Sequence, residues 1–245
     1  MQGVRERGGA TRHTARVNAA PGSVVERIKE LIVREGLRPG DPLPTELELT
    51  DALGVSRSRV REAVKTLVAL DIVEVRHGFG TYVGRMSLDA LVQALAFRSL
   101  VGPAADQRHL LLDLIDVRQM LETSLAPVVV QQVTGEVLDA LAATTQVMAA
   151  KAARGEEFRE EDREFHALLV GATGNALAVQ LTEAFWDVHA LSTAVVGPPT
   201  DLVETAQAHV AVVDAARAGD AVALAAAIVR HYDPVRRRLD AAPLP

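Results

Sequence analysis

The stretch ELELTDALGVSRSRVREAVKTLVALDIVEVRHGFGTYV, Glu46 to Val83, decides how the rest of the chain is read. Leu47, Leu49, Leu53 and Val55 bracket a short helix and its turn, while Val60, Val64, Leu67 and Leu70 recur at helical intervals along a longer one. Each helix therefore has an apolar face to bury against the other. Gly54 supplies a left-handed turn at no steric cost. Ser56 is placed to cap the second helix, with its hydroxyl expected to accept from an amide near Ser58 or Arg59. After Asp71, the spans 72–75 and 81–83 have strand composition and flank a glycine-bearing tip, His77-Gly78-Phe79-Gly80. Two helices, a turn and a hairpin in this order predict a winged helix-turn-helix.

Charge says what such a unit would meet. Arg57, Ser58, Arg59 and Arg61 fall in the first turn and a half of the second helix, with Lys65 one turn further. Several cations beside the positive end of a helix dipole are locally unfavourable, which points to an external anion. A helix entering the major groove N-terminus first meets phosphates and guanine edges there. The expected DNA-contacting residues are thus Arg57, Ser58, Arg59, Arg61 and Lys65 on the helix, with His77 and the Gly78 backbone on the wing. The plainer alternative is a solvated basic face and an ordinary hairpin turn.

Working outward, residues 1–21 are Arg-, Gly-, Ala- and Thr-rich and read as a flexible arm whose Arg5, Arg7, Arg12 and Arg16 are available to a phosphate backbone. The arm lacks the apolar run of about 7–15 residues that a signal peptide needs, and nothing later reaches roughly 18 consecutive apolar residues. With no cysteine to form disulfides, thiolates or Cys-ligated zinc, the chain is expected in the cytoplasm, away from membranes. Ser23 with Glu26 resembles a capping box, Val24, Ile28, Leu31 and Ile32 give the first helix a core face, and Gly36 stops it. The Pro- and Gly-punctuated 37–46 segment ends near Thr45, a second N-cap, so the DNA-binding domain is expected over 22–84. Residues 1–85 hold 14 Lys plus Arg against 11 Asp plus Glu, and the remainder 12 against 21. The overall acidity therefore belongs to the second half, which argues against DNA wrapping that half.

The rest of the chain reads as helical. A linker helix and loop are expected over 85–107, the helix running from Ser87 to about Leu100 and a break from Gly102 to Gln107. Six helices follow, over about 109–132, 134–153, 156–170, 175–195, 201–218 and 221–239. Gly197-Pro198-Pro199 and Gly219-Asp220 are the firm breaks near the end. The fold class is mainly α: an N-terminal winged helix-turn-helix, then an all-helical antiparallel bundle over 108–240 with a flexible 241–245 tail.

That bundle carries a second constellation. Asp162 and His166 are four apart and share a helix face with Phe158, Phe165 and Leu169; His209 and His231 sit among apolar residues of the last two helices. An acid and three imidazoles on apolar faces are costly to bury unless paired or bound to something. Their donor set suits a borderline divalent ion, Zn²⁺ or else Ni²⁺, Co²⁺ or Mn²⁺, with positions left for water or ligand. The alternative is that each histidine donates to a backbone carbonyl while Asp162 pairs with Arg159 or Arg163. Arg118 and Glu122 are a third feature, either an i, i+4 pair on a solvated face or, with Arg118 turned inward, a fork for a carboxylate.

With LRPGDPLPTELEL, LGVSRSRVREAVKTL and VEVRHGFGTYV, then DVRQMLE, DREFHALL, TGN and the spaced His209 and His231, the chain resembles GntR-type transcriptional regulators of the FadR-like subgroup with an FCD effector domain. The resemblance implies that Arg57, Arg61 and His77 contact operator DNA. It also implies that Asp162, His166, His209 and His231 are metal ligands, and that Arg118 holds an effector carboxylate. It further implies a homodimer on a pseudopalindromic operator, repressing genes for a small organic acid and released by that acid, with an activator or effector-enhanced repressor as variants. Two departures stand out: Leu47 occupies the place of a DNA-gripping arginine, and Arg59 that of a proline or threonine. The sequence also allows a helical metal-dependent hydrolase fused to a DNA-binding domain, although no additional base is evident beside the ligands, and a nonspecific architectural DNA binder. No catalytic residue is assigned.

Overall fold

A computed structural model describes the backbone of residues 22–101, 104–196 and 201–241, with side chains except at 99–100, 104–107 and 189–196. The 1–21 arm, the breaks at Gly102 and at Gly197-Pro198-Pro199, and residues 242–245 lie outside the described part. Two compact units divide the chain, the first ending at Met86 and the second beginning at Ser87.

In the first unit α1 (Val24–Arg34) starts at Ser23, whose hydroxyl accepts from the Glu26 amide at 3.2 Å. The box is not reciprocal, because the Glu26 carboxylate goes to Lys29 instead. Before α2 (Glu46–Leu53) it is complete: Thr45 accepts from the Glu48 amide and Glu48 accepts from the Thr45 amide. Gly54 ends α2 in the left-handed region, φ 62°, and turns the chain into α3 (Arg57–Ala69). Ser56 does sit at the N-cap of α3, but its hydroxyl meets Ser58 Oγ at 3.2 Å rather than an amide. The amides at this helix start thus lack the side-chain acceptor expected of Ser56.

The hairpin pairs β1 (Val73–Arg76) with β2 (Gly80–Val83), Val73 opposite Val83 and Arg76 opposite Gly80. The 37–46 connection does more than connect. The Leu43 amide donates to Thr81 O and the Val83 amide to Asp41 O, both at 2.8 Å, so the segment covers the outer edge of β2. Gly84 is obligatory, since a Cβ there would lie 2.3 Å from Asp71 O. Ile28, Leu31, Ile32, Leu49, Val60, Val64, Leu67, Val73 and Val83 form one core, the larger side chains each contributing about 1.5–3 kcal/mol by burial.

The second unit is a helical bundle of α4 (Asp89–Val101), α5 (Ala104–Gln132), α6 (Gly135–Ala153), α7 (Arg159–Gly171), α8 (Ala176–Val196), α9 (Leu202–Arg217), α10 (Ala221–His231) and α11 (Asp233–Ala241). Helix α10 packs on α5 and α9, α7 on α6 and α8, and α4 on α8. Two boundaries differ from expectation. Ala104 to Gln107 belong to α5 rather than to a loop, a run of helix-compatible residues directly after a proline in sequence. The last expected helix is two, because Pro234 has no N–H to donate to Arg230 O, so the ladder lapses at Tyr232 and resumes with α11 at Asp233. Among the described residues seven helices therefore follow α4, not six. Among the described residues no helix is long and apolar enough to cross a membrane.

Candidate DNA-contact face and buried metal centre

Helix α3 buries Val60, Ala63, Val64 and Leu67 and so must expose the opposite side. Arg57, Ser58, Arg59, Arg61 and Lys65 are all exposed. Arg57 and Arg59 make no ion pair among the described residues. Arg61 Nε is 2.9 Å from Glu46 Oε2 on α2, and Lys65 Nζ is 2.9 Å from Glu62. At the wing tip His77, Gly78 and Phe79 are exposed, with Gly78 at φ 81° and Gly80 at φ 115°, a turn that L side chains rarely adopt. Arg76 stacks on the Tyr82 ring at 4.1 Å and Tyr82 OH donates to Phe79 O, bracing the tip from within. Leu47 is exposed beside this cationic surface.

In the second unit, α7 presents Asp162 and His166, α9 presents His209, and α10 ends on His231. One donor atom from each lies within 4.8 Å of all the others. The contacts are tighter than that limit: His209 Nε2 to Asp162 Oδ1 is 3.0 Å, His166 Nε2 to the same oxygen 3.3 Å, and His166 Nε2 to His231 Nε2 3.1 Å. Donor atoms about 2.1 Å from one ion stand roughly 3.0–3.4 Å apart along the edges of its coordination polyhedron. The spacing fits a shared cation.

Partners behind the rings aim them. Thr205 O lies 2.8 Å from His209 Nδ1 and accepts its proton, which leaves the Nε2 lone pair facing the centre. Phe165 meets the His209 ring edge-on at 4.7 Å. Glu122 is buried on α5; its Oε1 accepts from Tyr232 OH at 2.9 Å and lies 2.8 Å from His166 Nδ1, an approach bent away from a regular hydrogen bond. Neither alternative partner takes Asp162, since Arg159 pairs with Glu157 at 2.7 Å and Arg163 with Asp187 at 3.1 Å.

Burial opposes charge on Asp162, yet the His209 and His166 imidazoles outweigh it and hold the carboxyl well below its ordinary value. Burial also pulls His166 down, but Glu122 and Asp162 override it and raise that ring to about 9. His231 shows the opposite result, pushed well below its ordinary value by burial and by the two neighbouring imidazoles. Asp162 and Glu122 thus favour positive charge at His166, whereas His231 resists it. Three imidazole nitrogens and a carboxylate could hold a divalent cation there.

Arg118 is 4% exposed, which decides its orientation: it points inward. Its guanidinium stacks over Trp186 at 4.6 Å and lies 5.5 Å from the Tyr232 ring, and its Nε has no hydrogen-bond partner. Glu122 is a charged neighbour and not a salt-bridge partner in contact. Arg118, Asp162, His231, Trp186 and Tyr232 all line one cavity of about 270 Å³. Trp186, Tyr232 and the role of Glu122 were not singled out from sequence. The break at Pro234 was the available clue to Tyr232, because it ends α10 beside the last ligand.

An exposed cationic helix with a glycine-tipped wing, and a separate bundle holding a polar cavity, define a DNA-binding regulator with a ligand-holding domain. Residues 22–83 match the family of bacterial regulatory proteins called gntR, and residues 113–234 match the FCD domain. The transcriptional regulatory protein NedR of Micromonospora viridifaciens is 49% identical over 86 residues, 35% of this chain and 62% of its own length. The HTH-type transcriptional repressor NanR of Cronobacter sakazakii is 29% identical over 221 residues, 86% of this chain and 82% of its own. A solved structure, Streptococcus agalactiae GntR, superposes with a TM-score of 0.66 at 28% identity, covering 87% of this chain and 97% of that one. The chain belongs to the GntR family of regulators, with an FCD effector-binding domain, as the resemblance implied. This is a family of transcriptional regulators and not a known enzyme family; Glu164, the nearest spare carboxylate in sequence, is exposed.

Proposed function

We infer that the protein is a homodimeric repressor that leaves a pseudopalindromic operator when a small organic acid binds beside a divalent metal, Zn²⁺ in the first instance. The observation that carries this reading is the buried Arg118, whose Nε lacks an acceptor inside a cavity shared with Asp162 and His231. An unmatched buried guanidinium donor is unfavourable, and a carboxylate answers it with two parallel hydrogen bonds. Asp162, His166, His209 and His231 would hold the ion, which when bound supplies a Lewis-acidic point for a ligand oxygen. Trp186 and Tyr232 flank Arg118 and fix the plane of its fork. On the other unit, Arg57 and Arg61 would read base edges, while Ser58, Arg59, Lys65, His77 and the Gly78 amide would position the duplex. The resemblance to a protein named as a repressor supports the sign of regulation.

The test is a gel-shift and anisotropy series with metal-loaded full-length protein and DNA obtained by genomic selection. Specific DNA should be preferred by about 10³-fold or more over competitor, and candidate acids should release it. Arg118→Ala should keep DNA binding and lose the acid response. Unchanged acid affinity in that variant removes Arg118 from the role assigned to it.

A further inference from the structure

We propose that the effector carries two anionic groups, and that Arg238 on α11 receives the one that Arg118 does not. This rests on the reading of the cavity as an acid-binding site. Arg238 is one of three consecutive arginines, and its neighbours are occupied: Arg236 binds Asp116 and Gln119, and Arg237 binds Glu204 at 2.6 Å. Arg238 instead lines the same cavity as Arg118, and its Nε is buried without an acceptor. Desolvation, with Arg159 close by, lowers its pKa below the usual guanidinium value.

The other charges at this end do not answer it. Glu157 is taken by Arg159, Asp187 by Arg163, and Asp162 by the histidines, while Glu160 and Asp201 are exposed, and none of these carboxylates accepts from Arg238 Nε. Two guanidinium groups, on α5 and α11, thus each bring an unmatched Nε to one cavity that also exposes Asp162 and His231. A monocarboxylate satisfies one of them and leaves the other. A dianion spanning the cavity satisfies both, and only the second contact distinguishes it from a simple acid. The cavity, about 270 Å³, lies just below the range of roughly 300–1,000 Å³ common for drug-sized ligands, so the acid is compact. Dicarboxylates, hydroxydicarboxylates and aldaric acids have the required chemistry.

The experiment is calorimetry of metal-loaded full-length protein with three pairs of acids that each differ by one carboxylate: lactate and malate, butyrate and succinate, gluconate and glucarate. In any pair that binds, the diacid should bind about tenfold more tightly, the scale of one charge-assisted hydrogen bond. Arg238→Gln, which keeps an N–H donor near the Nε position but removes the charge and the terminal nitrogens, should reduce that ratio to within about twofold and leave the monoacid unchanged. Arg118→Ala should weaken both members. Thermal melts of each variant separate loss of a contact from loss of the fold. A ratio near one in the wild type, or a ratio that survives Arg238→Gln, overturns the proposal while leaving the acid-sensing role of Arg118 intact. Absence of binding by all six acids, or indifference to Arg118→Ala, overturns the acid-sensing reading and this proposal together.

Discussion

The chain uses arginine in two opposite settings. On α3, Arg57, Arg59 and Arg61 stand in water, where charge is tolerated and each side chain is nearly independent of the next. In the bundle, Arg118 is enclosed with Glu122, Tyr232 and the four-donor centre, and each group depends on the others for compensation. The difference teaches where substitutions are cheap. Leu47 and Arg59, the two departures from the family pattern, both lie on the exposed surface, where a substitution disturbs no core. No equivalent freedom exists around Arg118, because removing one partner strands a buried charge.

Breaking the buried set should therefore have the largest consequence. Asp162→Asn keeps the shape but removes the only anionic donor among the four, and metal affinity should fall by more than about 100-fold, beyond the roughly 10–100-fold loss typical of outer partners. Competition with a chelator measures it. The same variant sharpens the comparison, because chelating the wild type should lower the melting temperature of the bundle, while Asp162→Asn should respond far less. A wild-type melt indifferent to chelator would show that the cluster contributes as hydrogen bonds alone. Next in size is Glu122→Gln, which leaves every donor atom in place but weakens the orientation of His166. It should cost about 10–100-fold in metal affinity and nothing in DNA affinity measured without effector.

On the exposed side effects should be smaller and separable. Arg57→Ala should reduce specific DNA binding by about 1–3 kcal/mol if it reads a base, with affinity for unrelated duplex nearly unchanged. Equal losses on all duplexes would assign it to phosphate, and the salt dependence of binding would then become shallower by about one phosphate contact. Metal affinity should not move in either case.

The same contrast explains what could be read before the structure. Period and punctuation make the exposed unit legible: Val60, Val64 and Leu67 mark one face of α3, so Arg61 and Lys65 between them must lie off that face. The bundle is legible as helices, and Asp162 with His166 as neighbours. That His209 and His231 reach the same point depends on how α9 and α10 pack, which periodicity does not encode. Arg118 could be assigned inward or outward with equal ease, since Leu114, Ile115 and Leu121 surround it on the helix. Its burial follows from Trp186 on α8 and Tyr232 after α10, contacts that are long in sequence. Arg238 was hidden for a related reason: an Arg-Arg-Arg run reads as solvated surface until Pro234 is seen to restart the helix and turn one of the three toward the cavity.

The smallest predicted effect probes how free the exposed arginines are. Arg61 gives its Nε to both oxygens of Glu46, at 2.9 and 3.3 Å, and this leaves the two terminal nitrogens unused. On the proposed reading those two form the edge that pairs with guanine O6 and N7, and Glu46 supports Arg61 for that contact rather than withdrawing it. An exposed pair of this kind adds no more than about 1 kcal/mol to stability, and Glu46→Gln should leave the melting temperature nearly unchanged. It should nevertheless narrow the ratio of specific to nonspecific binding by roughly two- to fivefold. Specific affinity falls as Arg61 loses its support, and nonspecific affinity rises slightly as one negative charge leaves the phosphate-facing surface. If both affinities rise by the same factor, Glu46 acts only as a repulsive charge, and the exposed arginines are independent of their neighbours after all.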